Sequence, residues 1–186
     1  RVQSVYIGGG TPTTLDENQL ARLLAALEKN FDFSALREYT VEAGRPDTIT
    51  PEKLAALRAA GVGRVSINPQ SMDDAVLAAI GRRHSAQDVL RAYDQARQAG
   101  FDAVNMDVIA GLTGDTADSF SRTIDTLIGL APENITVHTL AIKRGADLTD
   151  KAAASAQRDT VSRMLDGAAQ ALQTAGYGPY YLYRQK

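Results

Sequence analysis

The 186-residue chain contains no cysteine and no tryptophan. Without thiols it forms no disulfide and offers no thiolate to a metal ion or an iron–sulfur cluster. Neither sign of charge is in excess: 20 Lys and Arg stand against 22 Asp and Glu, a balance that argues against nucleic acid as the partner. No apolar run approaches the roughly 18 residues that a membrane span requires. The opening Arg1-Val-Gln-Ser4 shows no secretory pattern. A soluble cytoplasmic protein is the expectation. The length suits one domain, for which roughly 100–200 residues is usual, and 44% hydrophobic residues are enough for a core. Both ends look cut, because a strand begins almost at the first residue and residues 178–186 open a new element and stop. The expected division is a core over 1–176 and the start of a truncated C-terminal extension over 177–186.

Five short β-rich runs recur: Val2–Ile7, Tyr39–Ala43, Arg64–Asn68, Val104–Ile109 and Ile135–Leu140. Each precedes a helix-period segment, the pattern of strand–helix units around a parallel sheet. Helix starts are marked by Thr14-x-x-Glu17 as a capping box, by Thr50-Pro51, and by Ser85-x-x-Asp88. Apolar stripes follow, among them Leu20, Leu23, Leu24 and Leu27, then Phe120, Ile124, Leu127 and Ile128. A last helix spans about Asp150–Ala175 and ends at Gly176.

Buried parallel strands are usually apolar on both faces, because helices cover the sheet. Four of these strands are not. Ser66, Asn68 and Gln70 share one parity; so do Asn105 and Asp107, Thr40 and Glu42, and Thr136 and His138. Either these residues line a wet or ligand-filled lumen, or one sheet face lies open to solvent.

Chemistry-bearing residues collect where strands end. Gly8-Gly-Gly-Thr-Pro-Thr13 joins a strand to a helix, so backbone N–H groups can approach an anionic group; a plain tight turn is the other reading. Glu42 closes the second strand, and a carboxylate there can accept from a ribose or an amine, or be a solvated loop acid. Gln70 offers both donor and acceptor. Arg82, Arg83 and His84 either reach a carboxylate or form a basic helix terminus. Asp107 sits inside an apolar strand, where a carboxylate needs a partner or a ligand. His138 reads as a core histidine bonded to backbone or as a site residue; Lys143 and Arg144 read as an acidic-substrate contact or a basic loop.

In order and spacing, VYIGGGTPT, YTVEAGRPD, RVSINPQSM, AIGRRH, VNMDVIAGL and ITVHTLA resemble radical S-adenosylmethionine enzymes. The likeness covers essentially the whole chain and is greatest to the oxygen-independent coproporphyrinogen III dehydrogenase group and its haem-chaperone-like relatives. It implies a partial (βα) barrel of about five parallel strands with helices outside. It also implies S-adenosylmethionine held by Gly9, Gly10, Thr11, Glu42, Gln70, Arg82, Asp107 and Ala141. The family's [4Fe–4S] cluster is bound by a CxxxCxxC loop, which the resemblance places upstream of Arg1, so this piece alone is expected to hold no metal, carry no catalytic residue and be inactive. The implied reaction of the parent oxidoreductase is radical decarboxylation of coproporphyrinogen III propionates to vinyl groups in haem biosynthesis, with an unidentified electron acceptor. A haem chaperone and an ordinary phosphate-binding βα barrel are the rival readings. The uncovered edge of the first strand predicts pairing with a second copy, or cover from the Tyr180–Arg184 segment.

Overall fold

Parallel strands with helical returns build one sheet in this computed structural model, which describes residues 1–140 and 151–180. The strands are β1 (Ser4–Ile7), β2 (Glu38–Gly44), β3 (Arg64–Gln70), β4 (Ala103–Ala110) and β5 (Asn134–Thr139). They lie in the order β1-β2-β3-β4-β5, all parallel, so among the described residues β1 and β5 are the edges. Between them run α1 (Glu17–Asn30), α2 (Pro51–Ala59), α3 (Asp74–Ala79), α4 (Ala86–Gln98) and α5 (Ala117–Leu130), and α6 (Lys151–Thr174) follows. No described helix is long and apolar enough to cross a membrane.

One face of the sheet is the core. Val41, Val65 and Val104 sit side by side across three strands, Ile67 and Met106 across two, and all five are fully buried. Helices cover them with Leu20 and Leu24, Leu54 and Leu57, Val89 and Ala96, and Phe120, Ile124 and Leu127. From α6, Met164 and Ala168 are buried, and Val161, Leu165 and Leu172 pack at the margin.

Two helix starts agree with the sequence: Thr50 accepts from the Lys53 N–H, and Ser85 and Asp88 form a reciprocal capping box. The first does not. Thr11–Thr14 curls into a 3-10 turn with Pro12 at its start, and the Thr14 hydroxyl donates to Thr11 O at 2.7 Å. The box moves two residues on, with Asp16 capping Gln19 and the Gln19 side chain accepting from the Asp16 N–H.

Two irregularities interrupt the sheet near its C-terminal edge. Each adds one residue to a strand: between Glu42 and Gly44 in β2, and between Ile67 and Gln70 in β3. Such bulges re-aim the side chains beyond them.

Candidate functional site

The face opposite the core is polar, and the register aligns it. Glu42, Ser66, Asn105 and Asn134 stand side by side across β2 to β5, with Asp107 beside Thr136 one pleat on. They line a groove of about 330 Å³. Its wall is joined by side-chain hydrogen bonds. The Asn105 amide donates to Ser66 Oγ at 2.7 Å and to Asp107 Oδ1 at 2.6 Å. Its carbonyl accepts from the Thr136 hydroxyl at 3.0 Å and from the Asn134 amide. Ser66 Oγ also approaches Asp107 Oδ2 at 3.4 Å. Asp107 therefore has partners on its own wall while remaining partly accessible from the groove.

At the C-terminal strand ends, Glu42 is gripped by two donors. The Tyr6 hydroxyl donates to Oε1, and the Gly9 N–H donates to Oε2 at 3.2 Å. Partial burial, then the adjoining Glu42 carboxylate, push the Tyr6 phenol well above its ordinary value, so it remains a protonated donor. Local backbone chemistry makes the grip possible. Gly9 has φ +85°, a left-handed conformation that presents its N–H to the carboxylate. Gly8 is needed for space: a Cβ there would lie 2.5 Å from the Tyr6 ring and 2.9 Å from the Glu42 carboxyl carbon. The loop is tied down behind these glycines. Thr13, fully buried, donates to Ala43 O, and Lys53 Nζ donates to Thr13 O at 2.7 Å and Thr48 O at 3.2 Å.

The sequence-derived residues are distributed as follows. Gly9, Glu42 and Asp107 meet at the groove and its rim. Thr11 packs on Gly44, whose missing Cβ would be 3.0 Å from its methyl group. Gln70 departs from its expected parity, because the bulge pairs it with Val108 on the core side of β4 rather than with Ile109, its partner in an unbroken register. It is buried, in a left-handed conformation with φ +69°. Arg82 is half-buried near Arg45 and Asp47, which bond to each other at 2.5 Å. Arg83 is exposed, and His84 reaches no carboxylate among the described residues; its Nε2 lies 3.2 Å from Pro69 O. His138 is not a core histidine. On the edge strand β5 it is exposed and borders the groove. Ala141, Lys143, Arg144 and the 181–186 segment lie outside the described residues; Tyr180, 73% exposed, borders the groove.

Sequence reasoning missed Tyr6. The alternation Ser4, Val5, Tyr6, Ile7 contains the signal, since Tyr6 is in register with Thr40 on the polar face. Among the described residues no group of three or more His, Asp or Glu could hold a metal ion. With no cysteine in the sequence, the chain has no thiolate set for an iron–sulfur cluster.

Residues 1–127 match the model of the Radical SAM superfamily. The whole chain is 43% identical, over 189 aligned residues, to the oxygen-independent coproporphyrinogen-III oxidase-like protein HemZ of Bacillus subtilis, and covers 38% of it. Over 143 residues, 76% of this chain, it is 37% identical to the heme chaperone HemW of the same organism, again covering 38% of that protein. Among solved structures, coproporphyrinogen III oxidase from Escherichia coli matches with a TM-score of 0.80 at 28% identity, over 95% of this chain and 41% of that one. The chain thus spans about two fifths of the length of these relatives.

Proposed function

Because the chain belongs to the radical S-adenosylmethionine superfamily, we propose that it is the cofactor-holding core of a larger oxidoreductase of the coproporphyrinogen III dehydrogenase branch. In this reading residues 1–176 form the core, and 177–186 begin a further element. The observation that carries the reading is the doubly held Glu42 carboxylate beside the glycine loop, at the open end of a groove that also contains Asp107. S-adenosylmethionine is a cation at sulfur and at its amino group, with ribose hydroxyls to donate. Two carboxylates fixed in advance, beside a glycine turn that leaves room for a ligand, fit that chemistry. When bound, the cofactor supplies the radical that removes hydrogen from a substrate carbon.

The chain's own residues have narrower tasks. Gly9 and Tyr6 fix the Glu42 rotamer; Glu42 and Asp107 accept hydrogen bonds from the ligand. Gly10, Thr11, Gln70, Arg82 and Ala141 complete its surroundings. None moves a proton, since the chemistry belongs to the cofactor and the protein supplies orientation and electrostatics. A [4Fe–4S] cluster does not fit the residues present, as no cysteine is among them; its ligands belong to the remainder of the longer protein.

The test is equilibrium binding of S-adenosylmethionine to the full-length protein, with product analysis on anaerobically supplied coproporphyrinogen III. Glu42→Gln should weaken binding about 10- to 150-fold, the size of one lost charge-assisted hydrogen bond of ~1.5–3 kcal/mol. Unchanged affinity would overturn the assignment. The likeness to a heme chaperone supports a second reading: stoichiometric haem retention without decarboxylation would favour it over the dehydrogenase.

A further inference from the structure

Gln70 is one of two non-glycine residues in the left-handed region among those described, and it closes β3 directly after Pro69. Left-handed backbone is unfavourable for a residue with a Cβ and persists only where the surroundings hold it. Its neighbours on the chain contribute little. Pro69 has no N–H to give to a ladder, and the Gln70 side chain approaches Asn68 O only at 3.5 Å.

Beyond its pairing with Val108 on β4, the turn is held from another loop. His84, 3% exposed, lies just before the Ser85 cap of α4 and places Nε2 3.2 Å from Pro69 O. A carbonyl only accepts, so Nε2 carries the proton. Nδ1 is buried without a partner, the form expected of a neutral imidazole with one bare lone pair. Burial, chiefly, and then the neighbouring Arg82 guanidinium push its pKa down; the Pro69 carbonyl, Asp47 and Asp88 oppose this and are outweighed. The loop carrying His84 is itself anchored: the Arg82 N–H donates to Leu77 O at 2.9 Å, closing α3 over Gly81.

We infer that His84 is a positioning residue: through its bond to Pro69 O it holds the Asn68-Pro69-Gln70 turn in the left-handed shape, making Gln70 and Arg82, which the cofactor-core reading assigns to the ligand, one rigid unit. This rests on the cofactor-core reading for the identity of the ligand but not for the clamp. Arg82 contributes a second reason for coupling. Its guanidinium is half-buried and makes no hydrogen bond or ion pair to the described residues, so its placement depends on the loop that His84 docks.

Two measurements on the full-length protein test the inference. The first uses no ligand. In ¹⁵N spectra His84 should show the neutral Nε2–H form at pH 7 and above, and His84→Leu should raise amide exchange at residues 70–72 while His84→Gln, which keeps a donor, largely restores protection. A freely titrating His84, or exchange indifferent to both substitutions, would overturn the clamp. The second is a double-mutant cycle on S-adenosylmethionine affinity. His84→Leu should weaken binding about 3- to 10-fold, the worth of one ordinary hydrogen bond, and should add nothing in a Gln70→Ala background. Additive losses would assign His84 to general stability instead and overturn the positioning role. If the wild-type protein binds no S-adenosylmethionine, the cofactor reading fails, and the ligand-free measurement still decides the clamp.

Discussion

Replacing Gly8 with alanine separates binding from folding. The new methyl group would fall 2.5 Å from the Tyr6 ring and 2.9 Å from the Glu42 carboxyl carbon. Both are outer parts of side chains, and Tyr6 is 60% exposed, so the two groups swing aside and the backbone stays in place. Unlike Gly9, Gly8 does not occupy the left-handed region. Alanine is therefore conformationally acceptable, and by restricting the unfolded chain it contributes ~0.4–1 kcal/mol of stability. Against that stands the loss of the partly solvated bonds from Tyr6 and the Gly9 N–H to Glu42, ~1 kcal/mol each. Folding stability should fall by no more than ~2 kcal/mol. Ligand affinity should not be spared. With Glu42 displaced from both Tyr6 and the Gly9 N–H, one charge-assisted contact is lost, ~1.5–3 kcal/mol or about 10- to 150-fold. Urea unfolding and equilibrium dialysis with S-adenosylmethionine, both on the full-length protein, provide the two readings. Wild-type affinity in Gly8→Ala would refute the claim that the Glu42 orientation matters. A stability loss above ~3 kcal/mol would refute the claim that the clash is confined to movable side chains.

Gly9→Ala should behave in the opposite way: no atom lies within 4 Å of its added Cβ, but φ +85° costs ~1–2 kcal/mol of stability in urea titration. Asp107→Ala should weaken cofactor binding about 10-fold or more, whereas Arg83→Ala, altering an exposed side chain on a neighbouring loop, should leave the dissociation constant unchanged; equal effects would contradict the placement of Asp107. Burial raises the Asp115 carboxyl above its ordinary value despite hydrogen bonds from Ser119 and Thr116, and its Oδ2 is unpartnered. The folded state thus retains a proton that the unfolded state loses, and this residue's contribution to stability falls as pH rises from below about 4 through the raised folded value. Asp115→Asn should remove that slope, exceeding the wild type in stability at pH 7 and losing the advantage near pH 3. Incubated anaerobically with iron and sulfide, the 186-residue chain should remain colourless, having no thiolate; stoichiometric iron with visible cluster absorption would contradict this.

The polar groove was legible in the sequence because period-2 alternation survives wherever the register is unbroken: Ser66, Asn105, Asp107 and Thr136 all lie on the face their parity predicts. Parity fails at Gln70 because one extra residue enters β3 around Asn68-Pro69, and alternation counts residues rather than register. The proline inside the run was the available warning. The Thr14-x-x-Glu17 box was misplaced because Pro12 starts a separate turn, and Asp16-x-x-Gln19 satisfies the same rule two residues later. The sequence leaves His138 open between a core histidine and a site residue; the core reading fails because β5 is an edge among the described residues, which depends on strand order. The Tyr6–Glu42 contact joins residues 36 positions apart, and no local pattern encodes it.

Asn105 has a mechanical consequence for the groove. It donates to Ser66 on β3 and accepts from Asn134 and Thr136 on β5, so a single amide on β4 spans three strands on the wet face. Among the described residues the lining of that face comes from the strands and Tyr180, with no helix residue in it, and the amide acts there as a gauge. Its length sets how far β3 and β5 lean toward one another, and hence the width of the space between them. In the cofactor-core reading proposed above, a ligand would meet a wall whose amide is already engaged, so this stretch would select by size and leave chemical recognition to Glu42 and Asp107. Lengthening the gauge by one methylene, as Asn105→Gln does, should alter the width of the groove while leaving both carboxylates in place.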